Sequence, residues 1–246
     1  MTAAAESPTL AEWSEPDGVV PRGTLIVLPG RGEQAGIYAR LGRRLSADGY
    51  RVLVVPEPTT DSEQTTERVR AVLADAGSGP HPRVLVGSDT GALFAAALVA
   101  DGLPGVDALV LAGLPVASTE GPAGWAEELD ARTACPVHLG VLDGAAVRRG
   151  ALAEPVPAAW IRTAIPERIE IPVLGLHGTA DPLGTVDTVR DWYARLGEAE
   201  LVAIVGGRHD ALNDQSHRTA AATVVLFLER LRAGLPEIAR RERVRA

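Results

Sequence analysis

The chain has 246 residues, 46% of them hydrophobic, enough for one large α/β core and arguing against a second full domain. Its formal net charge of −8 argues against a nucleic-acid or anionic-membrane partner, since such surfaces need concentrated positive charge, and favours a small-molecule substrate. A single cysteine, Cys135, excludes an intramolecular disulfide and fits a reducing compartment.

Met1–Ala5 lead into Glu6 and Ser7 rather than into a basic and then apolar leader, so no signal peptide is expected. The longest apolar runs, Ala95–Ala100 and Thr223–Leu228, fall short of the roughly 20 residues a bilayer requires. A cytoplasmic protein is expected.

In chain order, Leu10–Glu15 is a candidate antiparallel edge strand, followed by strands at Thr24–Leu28, Arg51–Val55, Val84–Val86, Ala108–Ala112, Val173–Leu176 and Leu201–Val205. Helical periodicity runs through Ile37–Ala47, Glu63–Ala76, Ala92–Ala100, Thr185–Leu196 and Ser216–Leu231. Alternation of this kind predicts a mostly parallel sheet with helices on both faces. Pro115–Glu170 breaks the rhythm with six of the eighteen prolines and two of the four tryptophans. It is expected to be a lid-like insertion (about 115–170) in one domain over 1–246, because bulky Trp125 and Trp160 need something to cover. The arginine-rich tail from Arg240 reads as a fraying helix end.

Three segments carry chemistry. Val84-Leu-Val-Gly-Ser-Asp-Thr-Gly-Ala92 is a strand, a small-residue turn and a helix start, with Asp89 at the apex between Gly87 and Gly91. It has the form of a nucleophile elbow in which a carboxylate replaces the usual hydroxyl. His177-Gly-Thr-Ala-Asp181-Pro182 places an acid after one strand, and Gly206-Gly-Arg-His209 places a histidine after the next. The order nucleophile, acid, histidine is that of the α/β-hydrolases. Upstream, Leu25-Ile-Val-Leu-Pro-Gly-Arg-Gly-Glu33 ends a strand in a Gly-rich loop able to turn N–H groups toward an oxyanion, with Gly30 and Arg31 as candidates and the Thr90 N–H as the second donor.

With these segments in place, the chain resembles the α/β-hydrolase family over about residues 10–233. An aspartate at the elbow is similar to the epoxide hydrolases and haloalkane dehalogenases, which attack an sp3 carbon to form an alkyl-enzyme ester. The resemblance implies Asp89 as nucleophile, His209 as the base that activates water and Asp181 as its orienting acid. Two features depart from those families. Thr90 stands where they carry a tryptophan, and Tyr38, Tyr50 and Tyr193 all lie outside the insertion that would supply proton-donating tyrosines. Arg31, Trp125, His138 and Trp160 are the candidate substitutes, with an indole expected to line the pocket beneath the insertion and Arg31 and Thr90 at its floor.

Two carboxylates flanking His209 should favour its protonated form until Asp89 is alkylated. An esterase, lactonase, thioesterase, cyclase or lyase using Asp89 or His209 as general base is the alternative enzymatic reading. A vestigial triad beneath a ligand-binding cavity is the alternative of another class. No metal site is expected, for no His/Cys/Asp cluster has ligand spacing, and Gly30, Gly32 and Gly36 do not fit a dinucleotide loop, so no cofactor is expected either.

Overall fold

The computed structural model describes residues 11–239. The expectations for Met1–Ala5 and for the tail from Arg240 lie outside that range. Seven strands form one sheet: β1 (Ala11–Trp13), β2 (Gly23–Leu28), β3 (Tyr50–Val54), β4 (Arg83–Ser88), β5 (Ala108–Ala112), β6 (Val173–Gly178) and β7 (Ala199–Ile204). Their spatial order is β1-β3-β2-β4-β5-β6-β7. Every neighbouring pair is parallel except β1, which runs antiparallel to β3 with Ala11 opposite Val54. The three-residue β1 is the edge strand anticipated at Leu10–Glu15.

The central strands read as continuous apolar runs because both sheet faces are covered. Leu25 and Val27 point into one cluster, under α1 (Ala39–Ala47), with Leu41 and Leu45, and under α8 (His217–Ala233), with Val224 and Leu228. Ile26 and Leu28 point into the other, with Val69 of α2 (Ser62–Asp75), Leu93 of α3 (Thr90–Ala100) and Val189 of α7 (Val186–Tyr193). The Asp61 side chain caps α2 by accepting from Gln64 N at 2.9 Å, and Gly234, in the left-handed region, ends α8. The α3 helix is apolar on nearly all sides because it is wedged between the sheet and the segment that follows β5.

That segment, expected to be largely irregular, carries the short helices α4 (Trp125–Arg132), α5 (Pro136–Val141) and α6 (Ala158–Thr163). Three of its six prolines, Pro136, Pro157 and Pro166, sit at the starts of helical turns rather than breaking a path. The segment is pinned to the loop after β2 by Arg148 N donating to Gly32 O at 2.8 Å and by a bridge between Glu33 and Val147. Among the described residues, no helix is long and apolar enough to cross a membrane.

Candidate active site

Strands β2 and β4 are neighbours, yet the chain leaves them for opposite sides of the sheet, β2 toward β3 and β4 toward β5. Their carboxyl ends therefore open the crevice expected at a topological switch point. The pairing of Leu28 with Gly87 brings the loop 29–33 alongside the elbow. Asp89 sits at the apex with φ 47° and ψ −124°, the one non-glycine residue with positive φ among the described residues. Such a conformation is held only where the surroundings over-determine it. Gly91 is part of that constraint, since a Cβ there would overlap the carbonyl oxygens of Leu28 and Pro29.

His209 follows β7 and Asp181 follows β6. The Nδ1 of His209 lies 2.8 Å from Asp181 Oδ2, and its Nε2 lies 3.2 Å from Asp89 Oδ1, misaligned for a hydrogen bond. Asp181 is braced by Leu183 N at 2.9 Å and by His177, whose Nε2 is 3.3 Å away and also meets Gly184 O at 2.8 Å. His177 thus does more than close its strand, and its place four residues before Asp181 was the available signal. Gly113, just after β5, has φ +55°, and a Cβ there would come within 2.5 Å of the His209 carbonyl oxygen.

Arg31 dominates the site. Its Nε and Nη2 donate to Asp89 Oδ2 and Oδ1 at 2.8 and 2.9 Å, and its backbone N–H donates to Oδ2 at 3.0 Å. Its Nη1 donates to the carbonyls of Leu152 at 3.1 Å and Glu154 at 2.5 Å. Arg31 is 4% exposed and Asp89 1%. Burial pushes the Asp89 carboxyl up, but the Arg31 guanidinium and His209 outweigh it and hold the group well below the usual carboxylate range. Burial pulls His209 down, but Asp181 and then Asp89 raise it to about 10. Burial also opposes Asp181, which His209 holds below its ordinary value. At neutral pH the group is therefore two carboxylates, an imidazolium and a guanidinium.

Behind this group lies a second buried polar array that the sequence does not announce. Arg132, 1% exposed, donates to Glu128 Oε1 at 2.8 and 3.1 Å, to Glu33 Oε1 at 3.1 Å and to the Arg31 carbonyl at 2.9 Å. Glu33 also accepts from Gly30 N at 2.9 Å and from the Tyr38 hydroxyl, while burial and then the charge of Asp210 raise its carboxyl.

The remaining expected site residues divide. Thr90 Oγ1 reaches Asp89 Oδ2 at 3.5 Å, and Arg31 is in direct contact. The N–H of Gly30 is committed to Glu33, and that of Arg31 to Asp89 itself, so neither is open to a substrate oxygen in this arrangement. The expectation of an indole above Asp89 is corrected. Trp125 Nε1 donates to Asp143 at 3.3 Å beneath the Arg149 guanidinium, and Trp160 packs on Phe94 with ring centroids 4.5 Å apart. The two rings belong to clusters on opposite faces of the sheet. His138 is likewise not a donor at Asp89, because its Nε2 is 2.7 Å from Asp210 Oδ2.

No protein-family model matches the sequence, and no curated protein matches it. Solved structures do. The monoacylglycerol lipase of Paleococcus ferrophilus is 18% identical with a TM-score of 0.72, over 92% of this chain and 98% of that one. A soluble variant of monoglyceride lipase from Saccharomyces cerevisiae is 14% identical with a TM-score of 0.73, over 90% and 91%. The enol-lactonase of Burkholderia xenovorans LB400 is 18% identical with a TM-score of 0.65, over 90% and 96%. The strand order, the elbow at the switch point and these likenesses together give the chain the α/β-hydrolase fold.

Proposed function

We propose that this protein is a cofactor-free hydrolase of a small molecule, in which Asp89 attacks an sp3 carbon such as that of an epoxide. The observation that carries the reading is His209 held between Asp181 and Asp89, at 2.8 and 3.2 Å. A general-base role for either residue fits less well. A carboxylate held far below its usual range is a weak base, and an imidazole raised to about 10 is already protonated at neutral pH.

The same charges suit a covalent route. Asp89 Oδ1 forms a bond to a ring carbon as the C–O bond breaks, and the freed oxygen takes the His209 proton. An alkyl ester and a neutral imidazole remain. His209 then takes a proton from water as its oxygen adds to the ester carbonyl, with the oxyanion at the Arg31 N–H. Collapse releases the alkoxide, which takes the carboxyl proton, restoring ionised Asp89 and protonated His209. In this reading His209 supplies the acid that lid tyrosines would otherwise provide. Because Asp89 is 1% exposed, substrate entry requires the Arg31 side chain and residues 151–154 to part, which makes 115–170 a lid. The likeness to lipases and a lactonase supports the hydrolase class only.

Single turnover of styrene oxide in 18O-water tests the route with wild type and Arg31→Ala. The expected first-turnover diol is unlabelled and Asp89 gains the label. Label in the first diol, or no turnover by either protein, overturns it.

The double clasp of Arg31 on Asp89 favours a second reading, a non-catalytic ion cluster that holds the fold. It predicts no turnover in any variant and a large stability loss when either residue is changed.

A further inference from the structure

Among the described residues, a cavity of about 450 Å³ lies between α1 and the start of α8, away from the triad. Its rim holds Arg40, Arg43, Arg44 and Arg218 together with His217. The convergence runs against the charge of the whole chain, which is −8. Arg40, Arg43 and Arg44 stand three and four residues apart on α1, so like charges share one helical face, a spacing that repels unless an anion intervenes. Arg218 is brought to them from a distant part of the sequence by the packing of α8 on α1.

Among the described residues, only one of the four arginines is paired with an acid. Arg44 is paired with Asp48 at 3.3 Å, and Arg40 is fixed in place by donating to the Asn213 carbonyl and, at 3.7 Å, toward Cys135 Sγ. Arg43 and Arg218 have no side-chain hydrogen bond or ion pair among the described residues, and both are exposed. Beneath this rim the floor is apolar, formed by Leu41, Leu212 and Ala221. The volume is that of a small-ligand pocket rather than of a flat polyanion track.

We propose that this cavity is a binding site for a phosphate ester or diphosphate, with the anionic group held by Arg43 and Arg218 and the organic part laid on the apolar floor. Guanidinium groups suit such an anion because their N–H donors pair with phosphate oxygens two at a time. Arg40, already anchored, supplies a third positive charge without having to be ordered on binding.

Isothermal titration with inorganic pyrophosphate, adenosine diphosphate and adenosine tests it, on wild type and on the Arg43→Ser/Arg218→Ser double variant. Neither side chain has a hydrogen bond or ion pair among the described residues, so the variant should unfold close to the wild-type temperature. Saturable one-to-one binding of pyrophosphate is expected, tighter for adenosine diphosphate, absent for adenosine, weakened by salt, and weakened about tenfold or more in the variant. No saturable binding of either phosphate, or binding the double variant leaves unchanged, overturns the site. A single-stranded RNA 20-mer that binds more tightly than adenosine diphosphate and displaces it would also overturn it, in favour of a nucleic-acid surface.

Discussion

Arg31 holds both carboxylate oxygens of Asp89, at 2.8 and 2.9 Å, with neither side chain more than 5% exposed. A buried ion pair of this kind contributes less than its geometry suggests, because both ions were taken out of water, but removing one partner strands the other. Arg31→Leu should therefore cost about 3–5 kcal/mol in urea unfolding. Arg31→Leu/Asp89→Asn should recover a large part of that loss, and an additive double variant would mean the two residues are not coupled.

The pH dependence of stability follows from the same ions. His209 is raised to about 10, so its contribution is complete below its unfolded value near 6.5 and is lost as pH climbs through about 10. Asp89 is lowered, so its contribution is complete above its unfolded value near 3.8 and fades as pH falls toward its depressed folded value. Melting temperature should form a plateau only between about pH 4 and pH 6.5 and decline on either side of it. His209→Gln should remove much of the decline between about pH 7 and 10, and an unchanged alkaline limb would place the titrating group elsewhere.

Replacing the elbow carboxylate should expose the role of the Arg31 N–H. In Asp89→Ser alone, the Arg31 guanidinium still covers the site, and p-nitrophenyl acetate turnover should stay at background. In Asp89→Ser/Arg31→Ala the cover is removed and the backbone N–H is free for an oxyanion, so turnover should rise about tenfold or more over the single variant. Equal rates in the two proteins would show that Arg31 does not occlude the elbow.

Gly113→Ala should act on His209 through its backbone and through the edge of its ring, whose Cε1 and Nδ1 would lie 3.3 and 3.4 Å from the added Cβ. The added Cβ would lie 2.5 Å from the His209 carbonyl oxygen at a residue with φ +55°. A loss of about 1–3 kcal/mol is expected from the strain. The imidazole pKa followed by NMR should fall toward its ordinary value as contact with Asp181 loosens, and an unshifted titration would mean that the loop absorbs the change.

The sequence disclosed most of the frame because its signals were local. The strand Ala108–Ala112 was placed to the residue, and the elbow could be read from Gly87 and Gly91 because the turn admits little else. The order of Asp89, Asp181 and His209 was enough to suggest their meeting. Arg31 was expected at the floor of the site, but its clasp on both oxygens of Asp89 was not readable, since a Gly-rich loop fixes no side-chain direction in advance. Glu33, Glu128 and Arg132 were missed for a related reason: charged residues are expected at the surface, and only their mutual pairing makes burial tolerable. Trp125 and Trp160 share the insertion but not a face of the sheet, a separation that composition cannot reveal.

The grip of Arg31 on residues 152 and 154 is made to their carbonyl oxygens, not their side chains. Any amino acid at those two positions offers the same acceptors, so the latch is written in the path of the main chain. The side chains there serve other ends, Leu152 filling the core and Glu154 pairing with Arg148, whereas inserting or deleting one residue between Gly150 and Glu154 would unfasten the elbow and its cover at a single stroke.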